Sequence, residues 1–456
     1  MRFALPLLLF AAAAHAEPLS PAARLVGAAL VEGRAFDTVR SLTDHVGPRL
    51  TGSPGAERAV EWALAEMKRA GLSNVHREPV KVPRWVRGDE SAELVAPLAL
   101  HLHAAALGGS VGTPPGGLTA EVIEAGSLDE LRRRGEAVRG RIVLFNQRMA
   151  RSDFPSYGTV VPLRGAGAVE AARLGAIGAL IRSVGTGSHQ LPHTGGTRYD
   201  AAVPRIPYAA VSGEDADLLH RLLGEGGQVK VRLRLGAHDD GEVDSANVVG
   251  ELPGSAKPDE VVLLGAHLDS WDLGTGAIDD GAGCAAVIEA ARLIRAAGLQ
   301  PRRTVRVVLF MNEEHGLSGA RAYAEAHRGE SGKHVAALEA DSGAGRPTGF
   351  GVAGGAPSVE LVRRLVAALS PLHAAEVASA DEGGADLIPL QEAGVPVIGL
   401  TQDMSTYFDW HHTAGDTLDK IVPDDLALDA AAVAVVAYGL ADATERLPPS
   451  PPPPKW

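Results

Sequence analysis

The stretch Val305–Arg321, VRVVLFMNEEHGLSGAR, decides the fold that the sequence predicts. It begins as a near-continuous apolar, β-branched run, which is typical of a strand buried on both faces of a parallel sheet. The run ends in two adjacent acids, Glu313 and Glu314, before a turn that contains glycine. Taken alone, two acids at the end of a strand could form a solvated turn, because acids are mostly exposed, or they could belong to a functional site.

Three further apolar runs in the second half of the chain also end in residue types that bind metal ions. VVLLGA leads into His267 and Asp269, HVAALEA leads into Asp341, and VPVIGLTQ leads into Asp403 and a loop with two adjacent histidines. Apolar runs that alternate with helical patterns predict an α/β fold with a mostly parallel sheet. Ligand crevices in such sheets lie outside the carboxyl ends of the strands. These side chains are therefore predicted to share one pocket.

A Gly-rich segment, GTGAIDDGAG at residues 274–283, contributes Asp279 and Asp280. It lacks the Lys-Ser/Thr ending of a phosphate-binding loop. Its glycines instead allow a tight turn that brings one of the two acids into the pocket. The segment therefore predicts a further carboxylate at the site.

The available ligand types limit the metal. The single cysteine, Cys284, lies among small residues in a helical pattern and is predicted to pack in the core, which leaves histidines and carboxylates as ligands. His189 and His193 have no neighbouring acid in the sequence and are predicted to be surface loop residues. Histidines and carboxylates suit zinc, with manganese and cobalt as alternatives. Two histidines and at least three carboxylates make five protein ligands, which is more than one tetrahedral ion takes. Two ions about 3.5–4 Å apart with a bridging carboxylate fit better.

Four segments, in chain order, resemble the motifs of the co-catalytic zinc exopeptidases of the bacterial aminopeptidase type: GAHLDSWDLGTGAIDDGAG, NEEHGLSGA, EADSG and HHTAGDT. A fifth region, from VRGRIVLFN to GAIGALI, resembles a protease-associated domain. The resemblance covers nearly the whole mature chain. It implies an α/β fold with a mostly parallel mixed sheet sandwiched by helices, and an inserted smaller, mainly β protease-associated domain.

The resemblance implies two zinc ions per chain, held by five ligands. The ligands are His267 and Asp341 for one ion, Glu314 and His412 for the other, and Asp279 as the bridge between them. His412 is preferred over His411 because the ligand of this family directly precedes the Thr or Ser of the HTxxDT pattern. Asp280 follows the bridge, at a position where the family often has a cis peptide bond.

The resemblance also implies roles for residues that do not bind metal. Glu313 is expected to be the general base of catalysis, and Asp269 is expected to hydrogen-bond His267 and fix its tautomer. Asp416 is expected to anchor the histidine loop, and Tyr407 is expected to contribute to substrate binding.

The implied activity is that of a zinc metallo-exopeptidase that hydrolyses the terminal peptide bond of short peptides or dipeptides. Three other functions stay open: a glutaminyl cyclase that uses one zinc ion on the same fold, a hydrolase of non-peptide amides, and a non-catalytic binding protein. The expected partner is a peptide substrate, and relatives often form homodimers. A net charge of −13, with both signs spread along the chain, argues against nucleic acid as a partner.

The 456 residues divide into five predicted parts. Residues 1–16 have the early positive charge, short apolar stretch and small-residue ending of a secretory signal peptide, so the protein is expected in the periplasm or outside the cell. Residues 17–117 and 238–446 are assigned to the peptidase domain, 118–237 to the inserted domain, and 447–456 to a Pro-rich tail that need not pack. No later stretch is long and apolar enough to predict a membrane span.

Overall fold

The structure is a computed structural model that describes residues 19–151 and 154–454, without the side chains of residues 154 and 155. The predicted signal peptide, residues 1–16, lies outside the described residues.

Helices and strands are numbered in chain order. The helices are α1 Pro21–Glu32, α2 Ala35–His45, α3 Pro54–Ala70, α4 Leu128–Arg134, α5 Phe154–Arg173, α6 Gly213–Gly224, α7 Ala282–Ala296, α8 Ser318–Ala326, α9 Ala356–Val366, α10 Ile388–Glu392, α11 Tyr407–Trp410 and α12 Pro423–Asp442. The strands are β1 Ser73–Val86, β2 Glu90–Ala96, β3 Leu100–Leu102, β4 Ala104–Ala106, β5 Leu118–Ala125, β6 Ile142–Phe145, β7 Gly178–Arg182, β8 Tyr208–Val211, β9 Lys230–Leu235, β10 His238–Leu252, β11 Lys257–His267, β12 Arg303–Phe310, β13 His334–Glu339, β14 Pro347–Ala353, β15 Glu376–Ser379 and β16 Val397–Gln402.

The first of two sheets contains the strands that the apolar runs predicted. Its order is β1-β10-β12-β11-β13-β16-β14-β15, and the four central strands β12, β11, β13 and β16 are parallel. Alternate residues of β11 face opposite sides of the sheet. Val262 and Leu264 pack in a cluster with residues of α7 and α12, whereas Val261 and Leu263 pack with residues of α8. Helices therefore cover the parallel centre on both faces, as the sequence predicted.

The second sheet has the order β3-β2-β9-β5-β6-β7-β8-β4, with β5, β6, β7 and β8 parallel. Helices α4, α5 and α6 connect its strands, which makes this region α/β in character and not mainly β. Strands β2, β3 and β4 precede Leu118, so the predicted start of the inserted domain at Leu118 falls inside the sheet. The Gly- and Pro-rich stretch 108–117 that suggested this start is a loop within the region. It is tied to the end of β9, because the Thr113 amide donates to the Leu235 carbonyl oxygen over 2.9 Å.

The Pro-rich tail, which was predicted not to need packing, packs against the first sheet. The Val397 amide donates to the Ser450 hydroxyl oxygen (3.0 Å), and the Gln391 side-chain amide donates to the Pro451 carbonyl oxygen (2.8 Å). Prolines lack an amide donor but keep their carbonyl acceptors, and Ser450 adds a hydroxyl. An extended segment of this composition can therefore still pair with polar groups near the start of β16.

Cys284 is fully buried in α7 and belongs to the largest core cluster, which confirms its predicted packing role. Within residues 19–151 and 154–454, no helix combines the length and the apolar character that crossing a membrane requires.

Candidate metal centre

The predicted ligands that follow three neighbouring strands lie at one edge of the first sheet. His267 is the last residue of β11, Glu313 and Glu314 follow β12, and Asp341 follows β13. Strands β12, β11 and β13 are adjacent and parallel, so their carboxyl ends meet at the same edge. The loop between β11 and α7 adds Asp279 to this cluster.

Asp279 lies between the two groups of predicted ligands. Its Oδ1 atom is 3.1 Å from His267 Nε2, which is 3.7 Å from Asp341 Oδ1. Its Oδ2 atom is 3.3 Å from His412 Nε2, which is 2.9 Å from Glu314 Oε2. Each oxygen of this carboxylate therefore faces one histidine–carboxylate pair. A ligand that bridges two ions requires this arrangement.

His411 is a second histidine at the same place. Its Nε2 atom is 3.4 Å from the same Asp279 Oδ2 atom, and its ring stacks on the His412 ring with centroids 3.5 Å apart. His412, unlike His411 among the described residues, also contacts Glu314. Both histidines could therefore hold a metal together with Asp279, and the choice of His412 stays a prediction.

The site contains buried polar atoms that the described residues do not satisfy. Burial disfavours a charge on His412, but Glu314 and Asp279 outweigh burial and raise the pKa of His412 well above its ordinary value. Asp279 Oδ2, Glu314 Oε1 and the Nδ1 atoms of His411 and His412 are buried without a hydrogen-bond partner among the described residues. A divalent cation would stabilise the carboxylates, and zinc takes histidine and carboxylate donors. The residues present therefore fit a zinc site.

Glu313 and Glu314 face different targets. The Glu314 carboxylate contacts His412, and the Glu314 side chain is 4% exposed. The Glu313 carboxylate lines the cleft beside the site and forms no hydrogen bond with the residues that the structure describes. Burial raises the pKa of Glu313 well above its ordinary value, and the charge of Asp341 adds to this effect. Two neighbours in sequence therefore occupy different environments.

Asp269 supports the site through its main-chain carbonyl oxygen and, separately, through its carboxylate. His267 Nδ1 lies 3.0 Å from the main-chain carbonyl oxygen of Asp269, whereas the Asp269 carboxylate is 4.0 Å away. The predicted hydrogen bond between Asp269 and His267 is present, but its acceptor is the main-chain carbonyl oxygen, which fixes the tautomer, and not the carboxylate. The carboxylate accepts hydrogen bonds from the main-chain amides of Asn312 (2.8 Å) and Glu313 (3.1 Å) and from the hydroxyl of Thr51. With these three donors it positions the backbone at Glu313.

The loop that contains Asp279 is held by a residue far along the chain. The Asp416 carboxylate accepts hydrogen bonds from the main-chain amides of Ala277 and Ile278, each with a donor–acceptor distance of 2.7 Å. It therefore anchors the Asp279 loop, whereas its predicted role in the histidine loop stays a prediction. The peptide bond between Asp279 and Asp280 is cis, as the resemblance implied.

Arg49 is a supporting residue that the sequence did not reveal. Its guanidinium is fully buried and donates to the carbonyl oxygens of Leu268 (2.6 Å), Thr275 (2.6 Å) and Gly276 (2.8 Å). Gly276 has a φ of +59°, and a Cβ atom there would lie 2.7 Å from Arg49 Nη1, so the position needs glycine. The partners of Arg49 are 219 to 227 residues away, and no local pattern around it indicates this role.

A cleft of about 560 Å³ adjoins the metal centre. Its lining includes all the predicted ligands except His267, together with Tyr157 and Arg164 of α5 and Tyr407 of α11. The centroid of the Tyr407 ring lies 4.8 Å from that of the His411 ring. Tyr407 therefore occupies a position that allows the predicted contact with substrate.

His193 is buried, although the sequence predicted a surface role. It is 3% exposed, and burial together with repulsion from His412 lowers its pKa to about 3. The amide of the next residue, Thr194, donates to the His412 carbonyl oxygen (2.9 Å), so this loop packs on the histidine loop. His189 is exposed, as predicted, and stacks on Trp410 with ring centroids 4.5 Å apart. Contacts between distant segments, which the local sequence does not show, determine that His193 is buried and His189 is exposed.

Comparison with known sequences shows several relatives. Residues 247–437 match the sequence model of peptidase family M28. Carboxypeptidase Q of Mus musculus is 42% identical over 417 residues, which cover 91% of this chain and 87% of the mouse protein. Carboxypeptidase Q of Homo sapiens is 41% identical over 417 residues, which again cover 91% of this chain and 87% of the relative.

Solved structures show the same similarity. The peptidase M28 precursor of Shewanella amazonensis SB2B is 42% identical, with a TM-score of 0.92 over 94% of this chain and 98% of that one. A zinc aminopeptidase of Bacillus subtilis has a TM-score of 0.68 at 20% identity, over 91% of this chain and 96% of that one. The second similarity is one of fold alone.

Proposed function

The chain belongs to peptidase family M28, and from this membership we propose that it hydrolyses the terminal peptide bond of short peptides or dipeptides with two zinc ions. The chain is accordingly a metallopeptidase. The observation that carries the two-ion proposal is the position of Asp279. Its carboxylate lies between the pair His267 and Asp341 and the pair Glu314 and His412.

Bound zinc would supply Lewis-acid chemistry, which stabilises the negative charge that develops on oxygen during hydrolysis. In the proposed site His267 and Asp341 would hold one ion, and Glu314 and His412 would hold the other. Asp279 offers one oxygen to each side. The hydrogen bond from His267 Nδ1 to a carbonyl oxygen leaves Nε2 free to act as a ligand. The chain thus supplies five donors arranged around one shared carboxylate.

Glu313 is the proposed general base. Glu313 lines the cleft. The main-chain amide of Glu313 donates a hydrogen bond to the Asp269 carboxylate, which fixes the position of Glu313. As the water oxygen bonds to the peptide carbonyl carbon, Glu313 takes the proton that the water loses. It passes this proton to the amine nitrogen when the carbon–nitrogen bond breaks. The same carboxylate therefore serves as base and then as acid.

A substrate panel with and without a chelator tests the proposed function. We expect dipeptides and aminoacyl amides to be hydrolysed, the activity to be lost after chelation, and added zinc to restore it. Hydrolysis of N-blocked peptides alone would contradict the proposal. Cyclisation of N-terminal glutamine, or hydrolysis of non-peptide amides alone, would support the alternative enzymes on this fold.

We also propose that residues 1–16 act as a signal peptide that directs export of the chain. The early Arg2, the short apolar stretch and the small residues before Glu17 support cleavage after Ala16. We expect the exported chain to begin at Glu17, which N-terminal sequencing measures. An exported chain that retains residues 1–16 would contradict this part of the proposal.

A further inference from the structure

The histidines of the metal centre follow a short helix that packs against the second sheet. Helix α11, Tyr407–Trp410, directly precedes His411 and His412. Phe408 of this helix is 4% exposed and packs among residues of β6, β7 and β8, in the core of the second-sheet region, residues 90–235. The segment that brings two histidines to the edge of the first sheet therefore has an apolar anchor in the other sheet.

Asp409 of the same helix is a buried acid that pairs with the second-sheet region. It is 8% exposed. The Thr186 hydroxyl donates to Asp409 Oδ1 over 2.8 Å, and the Arg151 guanidinium donates to Asp409 Oδ2 over 2.8 Å. Hydrogen bonds to an ionised carboxylate are stronger than those between neutral groups. The Thr186 amide also donates to the Phe408 carbonyl oxygen over 2.9 Å. Thr186 therefore holds α11 through both its main chain and its side chain.

The main chain of His412 lies at the junction of two anchored segments. Its carbonyl oxygen accepts from the amide of Thr194, a further residue of the second-sheet region. Four residues later, Asp416 is fixed to the Asp279 loop. The φ of +62° at His412 is uncommon for a residue other than glycine, and such a conformation persists only where the surroundings impose it. The anchors on both sides impose it here.

We propose that Thr186 is a positioning residue of the metal centre, through which the second-sheet region sets the zinc affinity on the side of Glu314 and His412. The inference rests on the proposed two-zinc function. It assigns a role to a region that supplies none of the five proposed ligands. Without the hydrogen bond from Thr186 to Asp409, α11 is held less firmly, and the His412 ring is less well fixed beside Glu314. The other ion, whose ligands follow strands of the first sheet, keeps its support.

The test measures zinc binding to full-length wild type and Thr186→Val by competition with a chromophoric chelator. Valine has nearly the shape of threonine but no hydroxyl to donate to Asp409. We expect one of the two ions to bind about 10-fold more weakly, the lower end of the effect of residues that support metal ligands. The other ion should bind as in the wild type. Thr186→Ser, which keeps the donor, should bind both ions as the wild type does.

A double variant identifies the ion that is affected. His412→Ala is expected to weaken the site of Glu314 and His412 by itself. Adding Thr186→Val to His412→Ala should then leave zinc binding unchanged, because the proposed effect of Thr186 passes through His412. Further weakening in the double variant would show that the hydroxyl acts by another route, and it would overturn the inference.

Thr113→Val is the matched control. Thr113 and Thr186 are both half-buried loop residues of the second-sheet region. The Thr113 hydroxyl oxygen accepts from the Leu235 amide over 3.1 Å, so the change removes a hydrogen bond from the same region without touching α11. Both zinc affinities of Thr113→Val should equal those of the wild type. Selective weakening of one ion in this variant as well would show a general effect of loosening the region and contradict the role of Thr186.

Equal zinc affinities in wild type and Thr186→Val would overturn the inference, and so would equal losses at both ions or a loss of affinity in Thr186→Ser. If Thr186→Val fails to fold, Thr186→Ala, which also lacks the hydroxyl, decides by the same criteria. A wild type that binds fewer than two ions contradicts the two-ion proposal and the inference with it. If the wild type binds two ions but hydrolyses no peptide, the proposed function fails, while the zinc affinities still decide the inference.

Discussion

Glu313→Gln is expected to lower kcat by about 10²–10⁴-fold, the usual contribution of a general base or acid. Gln has nearly the shape of Glu but cannot take the proton from water. The Glu313 carboxylate lines the cleft and forms no hydrogen bond with the proposed ligands in the described structure, so zinc content should stay near the wild-type value. Steady-state kinetics on a dipeptide and metal analysis of the same preparation measure the two quantities.

Glu314→Gln is the matched variant, because it makes the same chemical change at the next residue. The Glu314 carboxylate lies 2.9 Å from His412 Nε2 and is a proposed ligand. We therefore expect this variant to lose zinc as well as activity. Equal zinc contents in the two variants would refute the division of labour between the two acids, and so would near-normal turnover in Glu313→Gln.

Asp279→Ala is expected to have the largest effect on metal content, with loss of both zinc ions. The two oxygens of Asp279 lie 3.1 Å from His267 Nε2 and 3.3 Å from His412 Nε2. Removing this carboxylate takes one donor from each ion and also removes the negative charge between two cations. Elemental analysis after dialysis measures the number of ions per chain, and hydrolysis should be lost with them.

Asp341→Ala is the matched variant for Asp279→Ala. Asp341 lies 3.7 Å from His267 Nε2 and belongs to one side of the proposed site only, so its removal should cost one ion and spare the other. Identical metal losses in Asp279→Ala and Asp341→Ala would argue against a bridging role. One zinc ion per wild-type chain would overturn the two-ion proposal and favour the glutaminyl cyclase alternative.

The sequence predicts the framework of the site because strand ends are a local property. His267, Glu314 and Asp341 each follow a near-continuous apolar run, and the parallel order of β12, β11 and β13 then brings them together. Asp279 and His412 depended on family motifs. Their placement involves a cis peptide bond after Asp279 and a φ of +62° at His412, which composition and spacing do not indicate.

The remaining differences come from contacts between segments that are distant in sequence. His193 is buried because its loop packs on the histidine loop. Strands β2 and β4, which precede the boundary predicted at Leu118, pair with β9 and β8, which follow it. The Asp269 carboxylate turned to the amides after β12 and not to His267, since three donors satisfy it there. Hydrophobic periodicity and motif spacing contain no information on such pairings.

Arg49 makes the middle of the chain depend on a residue near the N-terminus. Residues 238–446 contain all five proposed ligands and the proposed base, yet the carbonyl groups of Leu268, Thr275 and Gly276 in that part are satisfied by one guanidinium near the N-terminus. Buried carbonyl groups without a donor are unfavourable. The catalytic half is therefore not a self-contained module. A truncated fragment, or a chimera that replaces the first fifty residues with those of a distant relative, would have to supply this donor to keep the Asp279 loop in place.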